Sequence, residues 1–364
     1  MYIDPWQWYR DFQLQALRTG NTSHLRLPQV YQRGWNHLEN ARYDESIQVF
    51  SEGVELAKSM QMPVWEFFFE SWVCEVHVLA SNYTSALDAA TRLVASSVRP
   101  EHREHPCRAV VYFTLAWVYY YIDVHGYENE ILQALDTLET DMPLDEETHQ
   151  RSIFLRAEIA FEKEDYRQAR IFNDRYMNLV DGNAFRESSG YGMQRELAYT
   201  TGDLPAALSA TRLREATARK ARLLKNAANS ALWEAVLLRH QGEEGKAEAA
   251  IQRGMNEYDA LNLPKQASYY RILAEYQAAK GDFEASLKIR DTGLQKAIES
   301  GSLSSEFHCR LDRCYLINRL GRDVSEELAA AEKAAHRSKK PDFLLKKLNA
   351  VRDGRTVRYD WQAS

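Results

Sequence analysis

The chain has 364 residues, more than the roughly 250–300 at which a single globular core stops growing. The sequence therefore predicts several domains or one repetitive structure. Hydrophobic residues make up 45% and charged residues 27%, a composition that excludes a disordered chain. Residues 1–180 carry 16 basic and 27 acidic residues, or −11, and the remainder carries 30 and 25, or +5. A dedicated nucleic-acid-binding domain would be strongly basic.

The N-terminal residues 1–27 are predicted to form a capping helix, which Asp4 and Pro5 would start. They lack the basic and apolar regions of a signal peptide. The most apolar run, residues 110–122, is shorter than the roughly 20 residues of a membrane-spanning helix. Four cysteines are scattered without CxxC spacing, which is typical of free thiols in a reducing compartment. These features predict a cytoplasmic protein without membrane contact.

A short motif recurs eight times between residues 28 and 337, with starts separated by 40, 44, 39, 38, 40, 39 and 40 residues. The copies are ARYDES from Ala41, SNYTSA from Ser81, HGYENE from His125, EDYRQA from Glu164, GDLPAA from Gly202, GEEGKA from Gly242, GDFEAS from Gly281 and GRDVSE from Gly321. Such a constant period is typical of a repeat architecture.

Each copy of the motif fits the turn between two antiparallel helices. A small or polar residue ends the first helix, and an acidic or amide side chain caps the free N–H groups of the second. An aromatic residue such as Tyr43 would pack into the hairpin, and a small residue such as Ser46 would let the helices approach closely. The sequence therefore predicts about eight helix–turn–helix repeats.

This pattern resembles the tetratricopeptide repeat (TPR) family, with Gly34, Tyr43, Ser46 and Phe50 at the family's positions in repeat one. The resemblance implies an all-α, right-handed α-solenoid over residues 28–337, followed by a C-terminal capping helix and tail over residues 338–364. The period of about 40 exceeds the usual ~34 residues and is similar to that of repeats in bacterial signalling regulators. Repeat three has an insertion near residues 123–126, and repeat eight lacks the aromatic residue.

The first helices of such repeats line a groove that binds partners. The residues predicted on that face are Phe113, Trp117, Tyr120, Tyr121, Arg151, Glu158, Asn229, Arg239, Arg271, Glu275, Asn318 and Arg319. Aromatic rings would anchor a peptide segment or a partner protein, and arginines would bind its carboxylates. In the alternative interpretation the rings fill the core between helices and the arginines are solvated.

Enzyme signatures such as HExxH, GxSxG and GxxxxGK[ST] are missing from the sequence. Gly190 and Gly192 are interpreted as the start of a helix, and not as a phosphate-binding loop. EHREHPC, residues 101–107, has two histidines and a cysteine close together. Because the repeat count puts Pro106 in the first turn of a helix, this stretch is interpreted as a solvated connection. The sequence predicts no catalysis, no cofactor and no metal site.

Three functions are compatible with these features. The leading hypothesis is a non-catalytic scaffold or regulator that binds a peptide segment or a partner protein in its groove. The second is a signalling regulator whose superhelix changes conformation when a small ligand or peptide binds. The third is a nucleic-acid-associated adaptor that uses the basic run 212–226, in which Arg212, Arg219, Lys220 and Arg222 spread around more than one helix face. The oligomeric state stays open.

Overall fold

The computed structural model describes residues 5–142 and 145–353, and within these ranges the chain is all-helical. The helices are α1 Pro5–Thr19, α2 Arg26–Glu39, α3 Tyr43–Ser59, α4 Pro63–Leu79, α5 Tyr83–Ser97, α6 Cys107–Asp123, α7 Glu128–Asp141, α8 Glu146–Glu162, α9 Tyr166–Leu179, α10 Ala184–Thr200, α11 Leu204–Lys220, α12 Leu224–His240, α13 Glu244–Ala260, α14 Ala267–Ala279, α15 Phe283–Ser300, α16 Leu303–Arg319, α17 Ser325–Ala335 and α18 Pro341–Arg352. Asp4 and the predicted tail after residue 353 lie outside the described residues.

Helices α2 to α17 form eight consecutive hairpins, from α2/α3 (hairpin 1) to α16/α17 (hairpin 8), each turning at the predicted motif. Asn82, Asp165, Asp203 and Asp282 accept hydrogen bonds from backbone N–H groups three residues on, which caps the second helices as expected. The predicted all-α fold of TPR-like hairpins, the α-solenoid class, is confirmed. The handedness of the superhelix stays a prediction.

The small residues of the repeat permit close helix packing, as hairpin 1 shows. A Cβ added at Gly34 would come within 2.3 Å of the Phe50 ring, so only glycine fits there without rearrangement. The Ser46 hydroxyl is buried and donates a 3.0 Å hydrogen bond to the Gly34 carbonyl. Gly34, Ser46 and Phe50 therefore do the packing that the resemblance assigned to them.

One compact unit comprises Met1–Ile122 and Tyr127–Ser152 (unit 1). Its core is rich in rings from α4, and Trp65, Phe67, Phe68 and Phe69 are each at most 1% exposed. Rings of α1 pack on this core. Full burial of each such side chain contributes roughly 1.5–3 kcal/mol to folding, so these residues hold the unit together.

The second compact unit comprises Asp123–Gly126 and Ile153–Ser364 (unit 2). At its end α18 buries Leu344 and Leu348 against α16 and α17. The same helix also contacts the inserted turn of repeat three, because the Phe343 ring lies 4.0 Å from the His125 ring. The insertion of repeat three is thus a packing partner of α18.

Two interpretations of short segments were wrong. Gly190 and Gly192 lie in the middle of α10, and not at a helix start. A Cβ at Gly190 would come 2.1 Å from the Met177 sulfur, so glycine serves close packing here. In EHREHPC, His102 and His105 are only 5% and 6% exposed, so this connection is not solvated.

Both histidines of that connection pack on aromatic residues of unit 1. The His102 ring stacks on the Phe67 ring at 4.6 Å, and the His105 ring lies edge-on to it at 5.1 Å. The His105 Nδ1 atom accepts a 3.0 Å hydrogen bond from the Cys107 N–H. The segment therefore contributes to the core of unit 1, because both histidine rings are buried against Phe67 and not exposed to solvent.

Candidate partner-binding surface

The surface formed in each unit by the first helices of its hairpins is called the A-face below. In unit 1, α6 carries a row of stacked rings. The Trp117 ring lies 5.6 Å from Phe113 and 5.5 Å from Tyr120, and it meets Tyr121 edge-on at 5.3 Å. Phe113 is buried at 2% exposure, whereas the other three are partly exposed. Trp117 and Tyr121 also pack against α5 through a cluster that includes Tyr83. These rings therefore serve the core as well as the surface.

Arg151 joins this row of rings in unit 1. Its guanidinium lies 4.2 Å from the centre of the Phe113 ring, within the range of a cation–π contact. Its Nη2 atom is 2.8 Å from Oε1 of Glu75, and the two side chains are 20% and 13% exposed. Shielding from water strengthens such a pair relative to a surface ion pair.

In unit 2, two arginines contact the ring of Trp233, which lies on α12. The guanidiniums of Arg195 and Arg271 lie 4.7 and 5.5 Å from the centre of its ring. Glu196 accepts from both arginines, at 2.5 Å from Arg195 and 3.2 Å from Arg271. Arg271 keeps 31% of its side chain exposed. This group combines an aromatic ring, a carboxylate and a solvent-accessible guanidinium.

Tyr199 connects that group to the next one along the A-face of unit 2. Its hydroxyl donates a 2.9 Å hydrogen bond to Glu275 and lies 3.2 Å from Nε2 of His240. Since the tyrosine proton goes to Glu275, Nε2 of His240 is assigned as the donor to the hydroxyl oxygen. Burial lowers the pKa of His240, and the Glu275 carboxylate opposes this shift.

Arg290 of α15 lies beneath these residues and is almost fully enclosed. Its side chain is 4% exposed, and its Nη2 atom is 3.4 Å from Glu275 and 2.9 Å from Asp312. Helices α14, α15 and α16 are thereby joined by one buried arginine between two carboxylates. Buried charges of this kind are stable only when they are paired.

Three contacts of the A-face join first helices at nearly the same sequence separation. Glu75 and Arg151 are 76 residues apart, Glu196 and Arg271 are 75 apart, and Tyr199 and Glu275 are 76 apart. These separations are nearly two repeats, so each contact joins hairpins that are not neighbours in sequence. Sequence reasoning missed Glu75, Glu196 and Tyr199. A search of the sequence for polar side chains on first helices that are two repeats apart could have identified these three residues.

The remaining predicted groove residues are not brought into these contacts. Asn229 is 9% exposed and accepts a 2.7 Å hydrogen bond from Tyr258 inside unit 2. Arg239 pairs with Glu244 at the turn of hairpin 6, at 2.6 Å. The remaining three are Glu158, which is partly exposed, Asn318, which is exposed, and Arg319, which is exposed and lies over the Phe283 ring.

Two of the six basic side chains of the run 212–226, Arg212 and Arg219, form ion pairs with acidic neighbours. The ion pairs are Arg212–Glu234 at 2.8 Å, Arg253–Glu234 at 2.7 Å, Arg253–Glu215 at 3.0 Å, Arg219–Glu215 at 2.8 Å and Arg219–Glu257 at 2.5 Å. Hydrogen bonds from Arg219 to Glu257 and Glu215 raise the pKa of this arginine. Lys220 and Arg222 are exposed. These pairs form an ion-pair ladder across α11, α12 and α13 that includes Arg253, whereas Arg214, Lys220, Arg222 and Lys225 make no ion pair with a carboxylate of the described residues.

Neither a metal-binding cluster nor a membrane-spanning helix occurs within residues 5–142 and 145–353. No group of three or more His, Cys, Asp or Glu side chains in these ranges could hold a metal ion. No helix among them is long and apolar enough to cross a membrane. All four cysteines are buried, and burial raises the pKa of Cys314 to about 12, so this thiol is protonated at neutral pH.

No protein-family model and no curated protein matches the sequence. Similar solved structures include a tetratricopeptide repeat protein from Parabacteroides merdae, which is 11% identical with a TM-score of 0.41. The alignment covers 74% of this chain and 93% of that one. Another is a signal transduction ATPase with numerous domains and a tetratricopeptide repeat sensor from Pyrococcus horikoshii, with 12% identity and TM-score 0.47, where 80% of this chain matches 45% of that one. The TPR domain of P58(IPK) has 11% identity, TM-score 0.27 and 89% of each chain covered. Since these values are low, the description of the fold as TPR-like rests on the hairpins of this chain alone.

Proposed function

We propose that this TPR-type repeat protein is a non-catalytic scaffold or regulator that holds a peptide segment or a partner protein against the A-face of its hairpins. The observation that carries the proposal is the group around Trp233 in unit 2. There a ring, two guanidiniums and a carboxylate lie within contact distance of one another. Aromatic residues and arginine are the side chains most enriched at the energetic centres of protein interfaces.

A partner carboxylate would bind by exchange with Glu196. Arg271 is partly exposed and already holds a carboxylate at 3.2 Å, so an acidic side chain of a partner would meet a guanidinium in a suitable orientation. Exchange leaves the guanidinium paired, which avoids the cost of burying an uncompensated charge. Trp233 and its neighbours would supply the apolar part of the contact.

A second candidate is a regulator that changes conformation when a small ligand or peptide binds. It is favoured by the contacts that join hairpins two repeats apart, such as Glu196 with Arg271. A ligand that took the place of one partner would alter the spacing of non-neighbouring hairpins. For the nucleic-acid alternative, two of the four predicted residues, Arg212 and Arg219, are held by carboxylates, and we propose no such role.

The test is capture of a stoichiometric protein from native lysate, identified by mass spectrometry, with the wild-type chain and two variants. Arg271→Glu should abolish capture, because it places a carboxylate beside Glu196. Arg322→Glu is the matched control, since its partner Glu284 and Arg322 itself are both more than half exposed, and it should capture as the wild type does. Equal capture by all three chains would exclude this part of the A-face. A ligand-dependent change of hydrodynamic radius without a captured protein would favour the second candidate.

A further inference from the structure

Helix α1 lies on the A-face of unit 1. The Trp8 ring is 5.0 Å from Trp65, 5.2 Å from Phe68 and 5.0 Å from His105. Its neighbour Tyr9 is 4.8 Å from the Tyr31 ring. These partners lie on α2, on α4 and immediately before α6. The predicted N-terminal capping helix therefore reaches beyond hairpin 1 and covers first helices of successive hairpins.

The covering helix is amphipathic, and only one side of it faces the unit. Trp8, Phe12 and Ala16 follow one another at intervals of four residues, and Phe12 also reaches Trp65, at 4.8 Å. Leu14 and Leu17 lie elsewhere on the helix and are 48% and 57% exposed. An apolar stripe of residues at i, i+4 and i+8 laid on a hydrophobic surface is the geometry of helix-in-groove recognition.

The fit between α1 and the surface below it is imperfect. Trp65 is 1% exposed, yet its indole Nε1 atom has no hydrogen-bond partner among the described residues. Around this ring α1 supplies mainly other rings, from Trp8, Tyr9 and Phe12. A buried N–H without an acceptor is unfavourable. A helix that brought the same rings and also an acceptor would complement this surface better than α1 does.

We infer that α1 is an internal occupant of a helix-binding site formed by Tyr31, Trp65, Phe68 and His105. The site takes an amphipathic helix of a partner protein, with aromatic residues at i and i+4 and a hydrogen-bond acceptor directed at the indole N–H of Trp65. Binding of that helix displaces α1. The inference rests on the proposed function and deepens it, because it names the class of partner and gives unit 1 a competing internal ligand.

The test uses the full chain and a fluorescent peptide with the sequence of residues 5–19, PWQWYRDFQLQALRT. The double variant Trp8→Ala with Phe12→Ala removes the rings that hold α1 in place. Leu14→Ala with Leu17→Ala is the control, because these side chains are exposed. Anisotropy should show at least tenfold tighter peptide binding by the first variant than by wild type and control. Equal binding by all three chains, with unchanged circular dichroism, would overturn the inference.

Hydrogen exchange on the wild-type chain tests displacement without relying on the folding of a variant. Amides of α1 should exchange faster than those of α4, and excess unlabelled peptide should accelerate exchange in α1 further. Exchange in α1 that is as slow as in α4 and insensitive to the peptide would overturn the inference. A dimer by light scattering, with α1 exchanged between two copies, would replace the partner protein by a second copy of this chain.

The acceptor is tested with peptides that carry Gln at each of positions 9 to 12 in turn, since position 13 is already Gln. At least one should bind the Trp8→Ala, Phe12→Ala chain more tightly than the parent peptide, and this gain should vanish when Trp65→Phe is added. No gain from any peptide would refute the role of the Trp65 N–H. Since Arg271 lies in unit 2, capture that depends on Arg271 while the peptide fails to bind would leave the proposed function standing and reject the α1 site alone.

Discussion

Arg290 offers the sharpest test of the charge network in unit 2. Its side chain is 4% exposed and pairs with Glu275 and Asp312, which are 14% and 11% exposed. Arg290→Met keeps most of the volume and removes the charge, so two enclosed carboxylates lose their common cation. Breaking a buried pair in this way typically costs about 3–5 kcal/mol. Urea unfolding followed by circular dichroism should show a loss of this size in the free energy of unfolding.

Two further chains decide whether the loss comes from the unpaired carboxylates. Neutralising them as well, with Glu275→Gln and Asp312→Asn, should recover at least half of the loss. Arg322→Met is the control, because its exposed pair with Glu284 should contribute at most about 1 kcal/mol. A loss below about 1 kcal/mol for Arg290→Met, or no recovery in the neutralised chain, would refute the reasoning.

Three other predictions concern packing, turn backbone and pH, each measured by urea or thermal unfolding. Gly34→Ala should destabilise the protein by about 1–3 kcal/mol, because the added Cβ would lie 2.3 Å from the Phe50 ring. Gly245→Ala in α13 has open space around it and should stabilise the protein by up to about 1 kcal/mol. The same sign for both variants would contradict the packing argument. Ala41 has φ +54 and Gly281 has φ +81, a left-handed backbone conformation that glycine adopts more readily than alanine. Ala41→Gly should therefore stabilise the protein and Gly281→Ala should destabilise it, each by about 1 kcal/mol. A destabilised Ala41→Gly variant would disprove this explanation. Burial, with His102 nearby, lowers the pKa of His105 to about 3. Because this folded pKa lies below the unfolded value of about 6.5, the stability that the neutral ring contributes is complete above pH 6.5 and falls as the pH drops toward 3. Between pH 7 and pH 5, His105→Gln should therefore lose about 2 kcal/mol less of its free energy of unfolding than the wild type, and parallel pH profiles would refute the assignment.

The A-faces of the two units offer different surfaces to a partner. In unit 2 the A-face carries Trp233 and Arg271 close together, and in unit 1 it is covered by α1. If a partner binds the A-face of unit 2 and α1 covers the A-face of unit 1, the two surfaces can be altered separately by mutation. Capture by the Arg271→Glu chain reports on the A-face of unit 2. Peptide binding by the Trp8→Ala, Phe12→Ala chain reports independently on the A-face of unit 1.

The repeat itself was determined by the sequence. Turn chemistry at Ala41, Ser81 and the later motifs is local, since a residue that tolerates the turn and a capping side chain suffice to end one helix and start the next. The hairpin positions followed from spacing, whereas the close packing at Gly34 was implied by the resemblance to the TPR family. The helix that was predicted to include Pro106 in its first turn begins one residue later, at Cys107. Arg151, Arg271 and Glu275 were also named from their place in the first helices.

Only the tertiary structure decided what those side chains contact. Whether Arg271 meets Glu196 depends on how hairpins two repeats apart approach each other, and small rotations per repeat accumulate into that distance. The same holds for Asn229, which hydrogen-bonds to Tyr258 inside unit 2, and for Arg219, whose charge is matched by Glu257 38 residues on. The docking of α1 on Trp65 is likewise a contact between distant segments, so helical periodicity predicted the helix without predicting the surface that it covers.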